Sequence, residues 1–252
     1  MRLIRPAYPR RVTGPLVMAL LLLIVGCAAL VLMALLPAGR VAPVALLALS
    51  TALGLGIGSA MAVRAVSAGR RLTRRRNDDI ARMLAPAFDD AYVLILSPRL
   101  PDVPDDLAGL LVGPAGVRVL LARRWRGRYK VRGRGWEFDT RSRAGWIPCL
   151  TNPSFDADKV TDAVARWARE AADGAALPIS GAVAFPRPYS KVALEEPEVD
   201  VVTVDNAPWW AQRIGRMQRM DPQRVARFVE AVLDAAERTS DSRLGAASPR
   251  IA

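Results

Sequence analysis

LLVGPAGVRVLLARRWRG, residues 110–127, decides how this chain folds. Two largely apolar runs, the second broken only by Arg118, flank Pro114-Ala115-Gly116, and the second run ends in arginines around Trp125. Short apolar runs bounded by a Gly/Pro turn predict two buried strands, 107–113 and 117–122, joined as a hairpin. The stretch then continues into seven basic residues and three aromatics over 120–136, LLARRWRGRYKVRGRGW. RYKVR, 128–132, predicts a further strand of the same sheet, with a polar face.

Outward from the hairpin the pattern is mixed α/β. Residues 80–88 read as a short amphipathic helix and 91–97 as a buried strand. Asn152-Pro153 opens a helix, with Asn as cap and Pro in the first turn, and Gly174 closes it. Val160, Ala163, Val164, Trp167, Ala168 and Ala171 form that helix's apolar stripe. ISGAVAF, 179–185, and VDVVTV, 199–204, are strands. Asp221-Pro222 opens a last helix with Val225, Phe228, Val229, Val232, Leu233 and Ala236 on one face. The expected division is a domain over 77–205, C-terminal helices over 206–238, and a disordered tail over 239–252. Trp209-Trp210 either anchors the last helices to the sheet or meets a partner.

The charge is unevenly distributed. The 252 residues carry a net charge of +12 and no His. Residues 1–76 hold 11 Arg and no Asp or Glu, while residues 77–252 hold 25 basic and 24 acidic residues. The excess therefore belongs to the N-terminal segment and signals a membrane before it signals a nucleic acid. The absence of His removes the usual neutral-pH base and the commonest metal ligand. Cys27 and Cys149 are far apart in sequence and read as unpaired small apolar residues.

After a basic segment over 1–14, residues 15–36 run 22 positions without charge, and 41–63 do the same. Each is long enough to cross a hydrocarbon core as a helix. The link PAGR, 37–40, makes them a tight hairpin. A cleaved signal peptide is the rival reading of the first run, but that run is too long, and no clear small-x-small cleavage site precedes a mature start. Arg2, Arg5, Arg10 and Arg11 precede the pair, and an Arg-rich juxtamembrane segment over 64–76 follows it. The expected location is the inner (plasma) membrane, with both termini cytoplasmic and membrane lipids as partners. Ser50, Gly54 and Gly58 recur every four residues, a face suited to packing on the first span or on another copy.

The order of segments over about 77–205 resembles the NERD domain, a nuclease-related family of bacteria and plants. LLVGPAGVRVLLARRWRG and TNPSF, 151–155, carry the resemblance. It implies an α/β fold of the restriction-endonuclease-like type, a mixed sheet flanked by helices, preceded here by the transmembrane hairpin. It also implies a site of the PD-(D/E)xK kind. There an Asp on one strand and an acid on the next hold a divalent metal, and a Lys two residues on shares the acid's face.

Set against that pattern, this chain is degenerate. Alignment on Gly113-Pro114 places the Asp position at Ala108 and the neighbouring His position at Gly109. Alignment on Trp125 and Gly127 places the acid at Leu121 and the Lys at Arg123. An upstream Glu position falls near Arg76 and Asn77, with Asp78 close by. Leu121 offers no oxygen to Mg²⁺, and Arg123 does not deprotonate. The expectation is a domain without nuclease chemistry and without a cofactor. The competing reading is a Mg²⁺-dependent nuclease with a rebuilt site, using Asp105 and Asp106 with Glu137 or Asp139. Those acids are otherwise solvated turn residues.

Residues 118–143 hold ten basic and two acidic residues. Arg124, Arg126, Arg128, Lys130, Arg132 and Arg134 alternate with apolar or small residues, which on a strand puts the charges on one face. Three uses compete: binding nucleic-acid phosphates, lying on an anionic leaflet, or pairing with the acidic run Glu195-Glu196-x-Glu198-x-Asp200 of this chain or a partner. A role as an assembly adaptor in the membrane is a further alternative.

Overall fold

The computed structural model describes residues 1–6, 75–171 and 177–245. The chain divides into two compact units, Met1–Tyr8 with Arg75–Ala252, and Pro9–Arg74. Everything described belongs to the first unit. The apolar runs 15–36 and 41–63, the link between them and Ser50, Gly54 and Gly58 lie outside the described residues. Among the described residues no helix is long and apolar enough to cross a membrane.

The first unit is α/β, with two sheets and flanking helices. In chain order it contains β1 (Arg2–Ile4), α1 (75–84), β2 (Val93–Leu96), β3 (Leu107–Gly113), β4 (Gly116–Ala122), β5 (Gly127–Gly133), β6 (Gly135–Asp139) and β7 (Trp146–Pro148). These are followed by α2 (Pro153–Ala171), β8 (Ile179–Phe185), β9 (Ser190–Pro197), β10 (Asp200–Thr203), α3 (Ala207–Gly215) and α4 (Pro222–Gly245). The main sheet has the order β1-β2-β3-β4-β8-β10 and mixes parallel and antiparallel pairs. β2 and β3 are buried along their whole length and β4 along nearly all of it, because both faces of the sheet are covered.

The expected hairpin is β3–β4. Gly116 closes its turn at φ 99°, and a Cβ there would lie 2.3 Å from the Pro178 carbonyl oxygen. Only glycine meets both demands. The two expected helix starts also form. Asn152 Oδ1 accepts from the Ser154 N–H at 3.0 Å, and Asp221 Oδ1 accepts from the Gln223 N–H at 3.0 Å.

Several elements depart from the sequence expectations. The segment 128–132 does not extend the main sheet. β5 belongs to a second sheet of order β7-β6-β5-β9, in which it runs antiparallel to β6 and parallel to β9. Trp136 and Trp146 lie on two further short strands of this second sheet, β6 and β7. β1 lies in the segment read as a basic tail and pairs in parallel with β2, Leu3 opposite Leu94. α4 runs to Gly245, beyond the expected boundary at 238.

Two cores result. On one face of the main sheet, Leu107, Leu110, Val119, Leu121 and Val183 pack with Val160 and Val164 of α2, Phe228 and Val232 of α4, and Val131 and Trp136 of the second sheet. On the other face Leu94, Leu111 and Leu120 pack with Ile80 and Leu84 of α1 and with Trp210 and Ile214 of α3. Between the sheets stand Trp125, Tyr129, Trp136 and Phe185. The Trp136 and Phe185 rings stack at 5.6 Å, and Trp136 Nε1 donates to the buried Ser154 Oγ at 2.8 Å.

Candidate functional site

Asn77, Ala108, Leu121 and Arg123, the positions onto which the resemblance would map site residues, gather at one end of the main sheet, where β2 ends, β3 begins and β4 and β8 end. Ser97, just past β2, adopts φ 47°, an uncommon conformation for a non-glycine residue. Its N–H donates to the Ala108 carbonyl at 2.9 Å, and its Oγ donates to Asn77 Oδ1 at 2.9 Å. Arg76 Nη2 donates to the same Oγ at 3.3 Å. Ser97 thus ties together the positions of Asn77 and Ala108. Arg123 extends the line of β4 and pairs with Asp156 in the first turn of α2. Arg76 sits in this neighbourhood, and its pKa is lowered by burial first, with Asp106 opposing and Arg123 adding to the shift.

The side chains of Ala108 and Leu121, which the resemblance would make the metal ligands, do not converge. Leu121 and Ala108 are both 0% exposed. Leu121 lies in the α2-side core and Ala108 in the α1-side core. The register between β3 and β4 shifts at Leu107/Gly109, so Leu107 rather than Ala108 faces Leu121. Neither residue supplies oxygen to a divalent metal, and the Asn77 carbonyl oxygen is already engaged by Ser97.

The alternative acids are dispersed. Asp105 and Asp106 are exposed in the turn before β3. Glu137 and Asp139 lie on β6 in the second sheet, where Glu137 pairs with Lys130 at 2.8 Å and Asp139 with Arg128 at 3.3 Å. Among the described residues no group of three or more carboxylate or cysteine ligands is arranged to hold a metal ion.

β5 alternates as its sequence suggests. Val131 is buried, and Tyr129 packs on Trp125 with ring centroids 5.0 Å apart. Arg128, Lys130 and Arg132 lie on the opposite face, and each has an acid. Besides the two pairs above, Arg132 meets Glu195 at 3.5 Å, and Arg134 meets Glu198 at 2.5 Å and Asp158 at 3.1 Å. Lys130 also lies over the Trp146 ring at 5.2 Å. Exposed pairs of this sort contribute roughly 0–1 kcal/mol each. Their main effect is to cancel the charge of the ribbon. A cleft of about 400 Å³ beside it is lined by Arg128, Tyr129, Trp146, Lys191, Asp205 and Asn206, among others. Its two cations are matched by Asp139 and Asp205.

The charge balance differs at Asp79, a residue the sequence reading did not single out. Its side chain, on α1, is 9% exposed. It receives Arg82 at 2.6 Å, Arg187 at 2.8 Å and Arg124 at 3.4 Å. Arg187 also donates to the Tyr189 hydroxyl, and Arg126 lies 5.1 Å over the Tyr189 ring. The one legible signal was an acid on the apolar side of a short helix, next to Ile80 and one turn before Met83. Arg82 follows three residues on along α1, but Arg124 and Arg187 come from two distant loops, which no local pattern reveals.

The two neighbouring tryptophans divide the roles considered for them. Trp210 is buried, and its Nε1 donates to Asp200 Oδ2 at 2.8 Å. Trp209 is 75% exposed. Comparison with protein-family models, curated proteins and solved structures finds no match.

Proposed function

We propose that this chain is a membrane-tethered binding module: a transmembrane hairpin over 15–36 and 41–63, then a NERD-like domain of restriction-endonuclease-like fold that no longer hydrolyses phosphodiesters. The carrying observation is the burial of Leu121 and Ala108 in opposite cores, at the two positions where the resembled chemistry needs converging acids. The succession of α1, β2, the β3–β4 hairpin, α2 and β8 agrees with the order that the resemblance implies.

The tether reading has its own support. β1 pairs with β2, and Arg5 pairs with Asp78 at 2.7 Å. Residues on both sides of the apolar runs thus belong to one compact unit, which requires an even number of membrane crossings. The arginines flanking the pair favour the cytoplasmic side for both ends.

The test uses the full chain in neutral detergent, with Mg²⁺ or Mn²⁺ and labelled single- and double-stranded DNA, following cleavage and binding together. The expected result is no metal-dependent cleavage. Cleavage that requires metal and disappears in Asp105→Ala/Asp106→Ala would instead make this a nuclease with displaced acids. A second reading, a membrane-assembly adaptor, draws on the exposed Trp209. It predicts that Trp209→Ala reduces cross-linking to a protein partner without altering stability.

A further inference from the structure

We infer that the arginine cluster gathered on Asp79 binds the phosphate of an anionic lipid headgroup. The inference rests on the membrane-tether reading and adds a ligand to it. Four guanidiniums are involved, those of Arg82, Arg124, Arg126 and Arg187. Among the described residues the only carboxylate within ion-pair distance of any of them is Asp79. The ribbon on the second sheet, by contrast, matches Arg128, Lys130 and Arg132 with an acid each and Arg134 with two.

The cluster is built rather than incidental. Asp79 is nearly buried and holds three arginines at fixed points, while Tyr189 holds Arg187 through its hydroxyl and Arg126 through its ring. Each guanidinium has five N–H donors in a planar fork suited to phosphate oxygens. One carboxylate, one phenol and the Asp78 carbonyl, which accepts from Arg82 Nε at 3.3 Å, leave most of those donors for a ligand. Arg82 and Arg126 are exposed, so a ligand reaches the cluster from solvent.

Position selects the lipid among phosphate-bearing ligands. The pair Arg5–Asp78 joins the two places where the chain departs toward the apolar runs and returns from them, and Asp79 is the next residue. The cluster therefore stands, within this unit, beside the points where the chain leaves for the apolar runs and returns from them. Tyr189, 37% exposed among the arginines, is of the amphipathic aromatic type favoured at membrane interfaces. A nucleic acid would call for a run of phosphate contacts along the surface, and the ribbon that could supply it is already paired.

The experiment titrates the full chain, in neutral detergent, with four probes: short-chain phosphatidylglycerol, short-chain phosphatidylcholine, inorganic phosphate and a single-stranded oligonucleotide. Saturable binding of phosphatidylglycerol without binding of phosphatidylcholine is expected. Arg126→Gln weakens it about fivefold, and Arg126→Gln/Arg187→Gln about 25-fold, at roughly 1 kcal/mol per arginine. Arg132→Gln, outside the cluster, leaves it unchanged. Arg126→Gln alone decides the matter if the double variant does not fold, since Arg126 is exposed and pairs with no carboxylate.

Equal affinity of the native chain and Arg126→Gln overturns the inference. So does inorganic phosphate binding as tightly as the lipid, which would make free phosphate the ligand. Tighter binding of the oligonucleotide than of the lipid overturns it in favour of nucleic acid. The tether reading is checked separately by alkaline carbonate extraction of membranes containing the chain. Release of the chain defeats the tether itself, whereas retention without phosphatidylglycerol binding defeats only the lipid site.

Discussion

Ala108 and Leu121 lie one position out of register on paired strands, and their side chains enter opposite cores. The shift at Leu107/Gly109 causes this, because an extra residue on one strand turns the following side chains over relative to the other. Restoring acids there would not rebuild a converging site. Ala108→Asp/Leu121→Glu is expected to show no metal-dependent DNA cleavage. It should lose on the order of 4 kcal/mol or more of stability in urea unfolding, since each carboxylate enters a dry core without a partner. Cleavage by a folded double variant would contradict the opposed geometry.

Trp136 bridges the second sheet and the α2-side core, stacking on Phe185 and donating to Ser154. Trp136→Ala should cost about 3–5 kcal/mol through the cavity it leaves. Trp136→Phe should retain much of the stacking, yet leave the buried Ser154 hydroxyl without its donor at a cost of about 1–3 kcal/mol. Unfolding midpoints of the two variants provide the comparison.

β1 covers the outer edge of β2, and the Arg2 N–H donates to the Tyr92 carbonyl at 2.9 Å. Deleting residues 2–4 exposes that edge. Amide hydrogen exchange at Val93–Leu96 should then accelerate by about tenfold or more, with α4 unaffected. Unchanged protection of β2 would mean that β1 contributes nothing to the edge.

Arg118 is 5% exposed, and its guanidinium reaches the Met217 sulfur at 2.9 Å and the Val117 carbonyl at 3.4 Å. Among the described residues no carboxylate lies within ion-pair distance of it. Burial lowers its pKa, with Asp200 acting in the opposite direction. An apolar side chain of similar length avoids the desolvation cost. Arg118→Met is therefore expected to hold or raise stability by about 1 kcal/mol, and a large loss in urea unfolding would show that the charge is used.

Burial pushes the Cys149 thiol up, and the charge of Glu137 adds to the effect. The thiol therefore stays protonated at neutral pH. In a Cys27→Ser background, Cys149 should alkylate more slowly at pH 8 than it does in the urea-unfolded chain, the difference narrowing as the pH climbs above the ordinary value of about 8.5. The folded pKa is the higher one, so the linked contribution to stability is full below the unfolded pKa and is lost as pH rises through the folded value.

What the sequence by itself determined is local. The apolar runs of 107–113, 117–122 and 179–185 read as strands from their length and their Gly/Pro boundaries. Pro114-Ala115-Gly116 could only be a tight turn, and Asn152 and Asp221 mark helix starts because each caps its own first turn. The alternation of 128–132 likewise predicted which face of β5 carries charge. These signals arise from neighbours within a few residues, where backbone geometry and periodicity act.

Tertiary structure alone decided the rest. β1 is too short to carry a period and exists because β2 offers an unpaired edge. The second sheet forms because β9 returns about 60 residues after β5 to pair beside it. The ribbon's charge is cancelled and that at Asp79 is not, because ion pairs form between side chains that packing brings together. Asp79 and Arg187, 108 positions apart, are one such pair. Sequence spacing holds no record of these distances, because they are set by how the strands and helices stack.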